Sequence, residues 1–348
     1  MLLFIFHKKE FLVMINANPE YIFKGVKTAR LEAGRYSAVI AYTMGSSVLR
    51  FRDEQNKVEV FRYKDDVTAD QINEAREIWG LPSLYLPNRF DRGVIKTSDA
   101  TYTMPINETL LDNFIHGFVH KREHRLELCE VQGDRAVCRT SFEFDEQDEL
   151  FEHFPLKFKW TLTFTLSEAE GLVQEITLEN RSDKALPVSV CTHTCINAPI
   201  TDGGDLEHLT FEVPIGKKCI LDDRCLPTEE LKDLDDYDKK YKTGEMQAVL
   251  HDISNDMYTA EETTLDGKPF YGVIVTDRQS GRRVINEVSK EFRFWNMWND
   301  KGVNGYFCPE PMTAMINSPN LSLPREVTGY SELKSGERYS CSQRFAVL

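Results

Sequence analysis

Three short segments of the sequence place chemically capable side chains among apolar neighbours. These segments, with the candidate side chains they carry, are Leu86–Gly93 (Asn88 and Arg89), Val190–Asn197 (His193) and Tyr306–Pro311 (Glu310). Glu310 stands between two prolines, which restrict its backbone, and apolar surroundings raise the pKa of a carboxyl group. Histidine exchanges a proton near neutral pH. The two residue types therefore indicate general acid and general base chemistry.

Each of these residues also has a structural interpretation. A histidine after a strand can be a buried residue with satisfied hydrogen bonds, and Asn88-Arg89 can be a turn with a surface arginine. His116, His120 and His124 have the spacing of one helical face, which would suit a metal. However, Gly117 and the strand-like alternation that begins at Arg125 argue against a helix there, so we predict no metal site.

Strands must position these residues, because alternation of apolar and polar residues dominates the chain. The clearest case runs from Leu156 to Leu166, where every second residue is apolar. Further strand patterns occur at Leu172–Leu178, Pro187–Thr192, Tyr36–Tyr42, Ala136–Phe144, Leu209–Ile215, Phe270–Thr276 and Arg283–Val288. Many short strands separated by turn residues predict an all-β protein, a large antiparallel sandwich with few short helices.

Helical signals are sparse. The best lies at Asp65–Gly80, with an acidic start and with Gly80 and Pro82 as stop signals. Glu229–Lys242 is a weaker helical pattern that is better interpreted as a solvated excursion between strands. The absence of linker-like segments predicts one domain over 1–348, in which 1–13 is a possible N-terminal extension.

Composition narrows the classes of function. The chain has 348 residues and a formal net charge of −14, which argues against a nucleic-acid partner and disfavours a polyanionic substrate. Neither a secretory signal nor an apolar run long enough to span a membrane is recognisable, so we expect a cytoplasmic protein without a membrane partner. The eight cysteines include no C-x-x-C pair and are expected to be reduced thiols.

Taken in order, the motifs resemble those of the aldose 1-epimerase (galactose mutarotase) family. The resemblance runs from about Pro82 to the C-terminus. It rests on Pro87-Asn88-Arg89, Pro105-Ile106-Asn107, His116-Gly117, Thr192-His193-Thr194, Cys308-Pro309-Glu310-Pro311 and Gly336-Glu337. The main departure is Cys195-Ile196, which stands where the family has an aromatic pair.

The resemblance implies a galactose mutarotase-like sandwich and a set of roles. Glu310 would be the general base on the C1 hydroxyl, and His193 the general acid on the ring oxygen. His116 and Arg89 would bind sugar hydroxyls, with Asn88 in support. Where the family has a substrate-binding Asp, this chain offers Asn255 or Asp256, and where relatives carry a late Gln it offers Asn296.

The resemblance therefore implies mutarotation of a free aldohexose such as galactose or glucose, with a sugar as the partner and no cofactor. A hexose-6-phosphate epimerase and a non-catalytic carbohydrate-binding protein are the alternatives. A monomer and a homodimer both remain open.

Overall fold

The computed structural model describes residues 14–302 and 304–348, so the extension predicted at 1–13 lies outside the described residues. Two large antiparallel sheets dominate it. The first, called here the outer sheet, has eight strands in the order Arg125–Gln132, Arg135–Phe144, Phe158–Ser167, Gly171–Asn180, Arg338–Val347, Arg283–Val288, Gly272–Asp277 and Leu209–Glu212. In Phe158–Ser167 the apolar residues are buried and the polar residues between them are partly exposed, as the alternation predicted.

The second large sheet, called here the site sheet, carries the three motifs with chemical potential. Its strands follow the order Pro227–Lys232, Ile215–Leu221, Ser254–Ala260, Phe294–Trp298, Tyr306–Met312, Cys191–Thr192 and Ser83–Leu84, with Ile196–Asn197 also paired to Tyr306–Met312. Every residue of Tyr306–Met312 is buried, and the strands Phe294–Trp298 and Cys191–Thr192 pair with it on its two sides. The strand containing Glu310 is therefore central and rigidly held.

Smaller sheets complete the fold. A five-stranded sheet near the N-terminus consists of Ile15–Phe23, Val26–Ala33, Tyr36–Ala41, Ser47–Asp53 and Val58–Glu59. Four two-stranded sheets pair Arg89–Asp91 with Asn113–Ile115, Val94–Lys96 with Thr101–Thr103, Leu186–Val188 with Ser331–Leu333, and Thr263–Leu265 with Lys268–Phe270. The first of these four pairs is the one that contributes to the site.

The outer sheet and the site sheet share one hydrophobic core. Tyr85, next to the strand Ser83–Leu84, packs its ring against Trp160 of the outer sheet, with the ring centres 5.9 Å apart. A buried polar chain also crosses between the sheets, in which Gln174 donates to Ser83 and Gln343 donates to Gln174. Such a network is stabilising only when its members are satisfied, so it fixes how the two sheets align.

Two expectations about helices need correction. The helix expected over Asp65–Gly80 is shorter, an α-helix at Ala69–Glu74 capped by Thr68 and followed by a 3₁₀ turn at Arg76–Ile78. Glu229–Lys242 is more than a solvated excursion, because it contains part of the edge strand Pro227–Lys232 and the helix Lys239–Thr243. Every second residue of that edge strand is exposed, and the strand is rich in charged residues. Its sequence therefore resembles that of a solvated segment.

The remaining helices are short. They are the α-helix Arg325–Thr328 and the 3₁₀ turns Val119–Lys121, Leu206–His208, Ala248–Leu250, Asp300–Gly302 and Ser318–Asn320. Within residues 14–302 and 304–348, none of the helices is long and apolar enough to cross a bilayer. The strand content and the antiparallel pairing confirm the all-β prediction.

Candidate active site

A glutamate and a histidine meet at the centre of the site sheet. His193 follows the strand Cys191–Thr192, which pairs with the end of Tyr306–Met312, so it lies beside Glu310. The His193 Nε2 atom is 3.3 Å from Glu310 Oε1, and both side chains are almost completely buried. A proton donor and a proton acceptor therefore face the same small volume.

The surroundings set the protonation states of this pair. Burial acts to lower the pKa of His193, but the Glu310 carboxylate and Cys195 outweigh it and raise the pKa to about 9. Burial raises the pKa of Glu310 to about 7, against the opposing effect of His193. The pair consequently exists as imidazolium and carboxylate between these two values.

Asn296 stands directly across from Glu310 on the neighbouring strand Phe294–Trp298. A hydrogen bond from its side chain acts to lower the pKa of Glu310, although burial prevails. The Oδ1 atom of Asn296 is buried and has no hydrogen-bond partner among residues 14–302 and 304–348. An unpaired buried acceptor is costly, so this atom is suited to receive a hydroxyl group from a ligand.

Asn88, Arg89 and His116 come from the two-stranded pair. Ile115 pairs with Arg89, and the His116 amide donates to the Asn88 carbonyl at 2.8 Å, which places the three residues together. His116 has a φ of +65° and is followed by Gly117, whose own φ is +62°. A Cβ at Gly117 would lie 2.0 Å from the Tyr85 carbonyl oxygen, so this turn requires glycine.

His116 is a neutral side chain in the site, whereas Arg89 is held in an ion pair. Burial, together with His193, lowers the pKa of His116 well below its ordinary value, and its buried Nδ1 has no partner in the described part of the chain. Neutral His116 can therefore exchange hydrogen bonds with hydroxyl groups. Arg89 makes a bidentate ion pair with Glu108, at 2.8 Å for Nη2 and 2.9 Å for Nε.

The structure separates Asn255 from Asp256. The pairing with Phe294–Trp298 has an irregularity between Ser254 and Asp256, and Asn255 adopts a φ of +59°. This bulge turns Asn255 into the cavity. Asp256 is not brought to the cavity, because its carboxylate pairs with Lys218 at 3.1 Å.

These residues line a cavity of about 260 Å³. Its walls contain the predicted residues Asn88, Arg89, His116, His193, Asn255, Asn296 and Glu310, and also Glu77, Ile78 and Trp298. Sequence reasoning missed these last three. Trp298 could have been found, because a spacing of two residues places it on the same strand face as Asn296. The sequence around Glu77 carries no local signal for a site.

Glu77 brings a second carboxylate to the cavity wall. Its Oε1 accepts from Lys121 Nζ at 2.7 Å and lies 3.0 Å from His120 Nε2. Burial acts to raise the pKa of Glu77, but these hydrogen bonds outweigh it and lower the pKa. Glu77 therefore stays ionised and can accept hydrogen bonds from a ligand.

Behind His193 lies a group of metal-ligand type, formed by His193, Cys195 and Cys308, whose donor atoms are all within 4.8 Å of one another. The Cys195 Sγ atom is 3.4 Å from His193 Nδ1 and 3.1 Å from Cys308 Sγ. Both thiols are fully buried. His193 is thus held between a carboxylate at Nε2 and a thiol at Nδ1.

Comparison with known proteins identifies the family of this chain. The family model described as aldose 1-epimerase matches residues 27–346. A galactose mutarotase-like protein from Clostridium acetobutylicum is 31% identical with a TM-score of 0.92, and the match covers 97% of this chain and 98% of that chain.

Two more distant structures share the fold alone. Galactose 1-epimerase from Lactobacillus acidophilus NCFM is 12% identical with a TM-score of 0.71, covering 97% of this chain and 99% of that chain. A GalM/aldose epimerase homologue from C. elegans is 15% identical with a TM-score of 0.67, covering 90% and 95%. These two matches confirm the predicted fold, and the family model together with the Clostridium acetobutylicum structure confirms the family resemblance.

Proposed function

This chain belongs to the aldose 1-epimerase family, and from that premise we propose that it interconverts the α and β anomers of a free aldohexose such as galactose or glucose. The observation that carries the proposal is the contact of Glu310 with His193 at 3.3 Å inside the cavity. The hydroxyl oxygen and the ring oxygen of an aldose are bonded to the same carbon. An acid and a base at the same small volume can therefore reach both oxygens of one sugar.

In the proposed reaction, Glu310 removes the proton of the C1 hydroxyl while the C1 carbonyl forms and the bond from C1 to the ring oxygen breaks. His193 donates its Nε2 proton to that ring oxygen. The open-chain aldehyde rotates about its C1–C2 bond and closes on the other face, with the two protons returned. General acid and base catalysis suffices for these steps, and they involve no metal or organic cofactor.

The charges in the cavity support a neutral sugar over a hexose phosphate. Arg89 is the one permanently cationic residue in the described cavity wall, and Glu108 already holds it in a bidentate pair. Glu77 and Glu310 add negative charge to the same wall. A phosphate group would therefore lack an unpaired cation and would meet two carboxylates.

A purely sugar-binding role is the other alternative, and the buried pair speaks against it. Burying Glu310 with His193 costs desolvation energy that a binding protein could avoid with neutral polar groups. We propose that the protein acts in the cytoplasm, as a monomer or as a homodimer.

Polarimetry tests the proposal. Freshly dissolved α-D-galactose and α-D-glucose should relax faster with the protein, and Glu310→Gln should lower the catalysed rate by at least about 100-fold, the scale of one lost proton transfer. Glu130→Gln, an exposed change on the outer sheet, is the matched control and should keep full activity. Absence of catalysis with both sugars, or full activity in Glu310→Gln, would contradict the proposal, while a preference for glucose 6-phosphate would favour the phosphate alternative.

A further inference from the structure

The thiols behind His193 face each other across two paired strands. Ile196 pairs with Phe307, so Cys195 and Cys308 occupy the next facing positions of this antiparallel pair. Their sulfur atoms are 3.1 Å apart, and a disulfide bond of about 2.05 Å would need a movement of roughly 1 Å. No other element has to move between them.

The separation of the sulfurs suits a disulfide better than a metal. Two thiolates on tetrahedral zinc, with bonds of about 2.3 Å, stand roughly 3.7 Å apart. Cys195 and Cys308 are closer than that, and His193 would be the only further ligand of the group. A structural zinc site normally has four protein ligands.

Cys195 has the character of a reactive thiol. Burial acts to raise its pKa, but hydrogen bonding with Cys308 and the charge of His193 outweigh burial and lower the pKa to about 6. Burial raises the pKa of Cys308 well above its ordinary value. One thiolate beside one thiol is the arrangement in which the first sulfur attacks an oxidant and the second resolves the product.

A small oxidant can approach through the sugar cavity. Ile78 and Trp298 pack against Cys195 and Cys308, and the same two side chains line the cavity. A single layer of side chains therefore separates the cavity from the thiols. Hydrogen peroxide is small enough to pass during local fluctuations of such a layer.

We propose that a hydroperoxide converts Cys195 and Cys308 to a reversible disulfide, and that this disulfide slows the reaction by removing the thiol partner of His193 Nδ1. The formation of the disulfide is independent of the proposed function, and only the predicted loss of activity rests on that function.

The proposed chemistry balances with hydrogen peroxide as the oxidant. The Cys195 thiolate attacks one peroxide oxygen, the O–O bond breaks, and the released hydroxide takes a proton to become water. The resulting sulfenic acid is attacked by Cys308 sulfur, which forms the S–S bond and releases a second water with the Cys308 proton. Two electrons pass from the two sulfurs to the peroxide.

The consequence for His193 follows from its contacts. In the reduced protein the Nδ1–H group donates to the Cys195 thiolate at 3.4 Å, which favours the imidazolium. A disulfide sulfur carries no charge and is a weak acceptor, so this support is lost. The pKa of His193 should then fall, so that less of the protein carries the imidazolium acid at a pH near 9.

The test uses the full chain, reduced and then exposed to hydrogen peroxide. Free thiols are blocked with N-ethylmaleimide, and peptides are analysed by mass spectrometry without reduction. We expect a linked pair of peptides containing Cys195 and Cys308, a parallel fall in the mutarotation rate at pH 9 of about fivefold, and recovery of both with dithiothreitol. Cys308→Ser should lose the linkage and should leave Cys195 trapped by dimedone as the sulfenic acid.

A second cross-strand pair provides the matched control. Cys129 and Cys138 face each other on the outer sheet, so Cys129→Ser removes this pair without touching the site. After treatment with hydrogen peroxide, the Cys129→Ser variant should form the linkage of Cys195 to Cys308 and lose activity to the same extent as the wild type. Failure to form the linkage, or formation of the linkage without loss of activity, would overturn the proposal.

An NMR titration of His193 separates this proposal from the proposed function. If the protein is inactive on every sugar, the disulfide should still form and should still lower the pKa of His193, by about one pH unit. An unchanged pKa of His193 in the oxidised protein would refute the coupling whatever the enzyme activity.

Discussion

The ionisation of Glu310 and His193 predicts a specific dependence of activity on pH. The proposed reaction needs the Glu310 carboxylate and the His193 imidazolium at the same time. Because the pKa of Glu310 is raised to about 7, the base is lost as the pH falls through that value. Because the pKa of His193 is raised to about 9, the acid is lost as the pH rises through that value. The profile of kcat/KM should therefore be bell-shaped with its maximum near pH 8.

The size of the effect follows from the two pKa values. One pH unit below the pKa of Glu310, about one tenth of the carboxyl groups are ionised, so the rate at pH 6 should be about tenfold below the maximum. A further unit should cost another factor of about ten. The two apparent pKa values in this profile belong to the pair of Glu310 and His193 together, since each charge stabilises the other.

The assay is polarimetry of α-D-galactose from pH 5 to pH 10, with the spontaneous rate subtracted at every pH. Asn296→Leu removes the hydrogen bond that acts to lower the pKa of Glu310, so the acid limb should move upward by about half to one pH unit. Asn16→Ala, an exposed change in the five-stranded sheet, is the control and should leave both limbs in place. A profile that is flat, or an acid limb near the ordinary carboxyl value of 4.5, would refute the reasoning.

Three further predictions concern the cavity wall and its support. Trp298→Ala should raise KM for galactose by up to about tenfold with a smaller change in kcat, since the ring borders the cavity, and steady-state kinetics would show it. Glu108→Gln should raise KM about tenfold, equivalent to ~1.4 kcal/mol, because Arg89 loses its bidentate partner; an unchanged KM would count against a positioning role for the pair. Gly117→Ala should lower the free energy of unfolding by at least about 2 kcal/mol in urea titrations, because its φ is +62° and the Cβ meets Tyr85.

The strands of the fold could be predicted because their burial alternates. Phe158–Ser167 was recognisable for this reason, since only one face of it is apolar. The edge strand Pro227–Lys232 was not recognisable, because its exposed positions carry charges and a charged stretch is typical of a solvated segment. The helix after Asp65 was overestimated, since a pattern of apolar residues does not reveal where tertiary contacts convert an α-helix to a 3₁₀ turn.

The candidate site divides in a similar way. Glu310 and His193 could be proposed from their local setting, because prolines and a strand end are visible in the sequence. The choice between Asn255 and Asp256 could not be made, since a single-residue bulge decides which side chain faces the cavity. Glu77 could not be found at all, because the packing of distant segments alone brings it to the cavity wall.

An aromatic side chain of the strand Phe294–Trp298 borders the cavity of this chain. The Trp298 ring lies 5.8 Å from His193 and 5.9 Å from Tyr306. Trp298 therefore borders both the cavity and the cysteine pair, whereas the smaller side chain of Cys195 leaves room for a thiol contact with His193 Nδ1. This chain thus has a titratable side chain beside His193 and keeps an aromatic ring, that of Trp298, in the cavity wall.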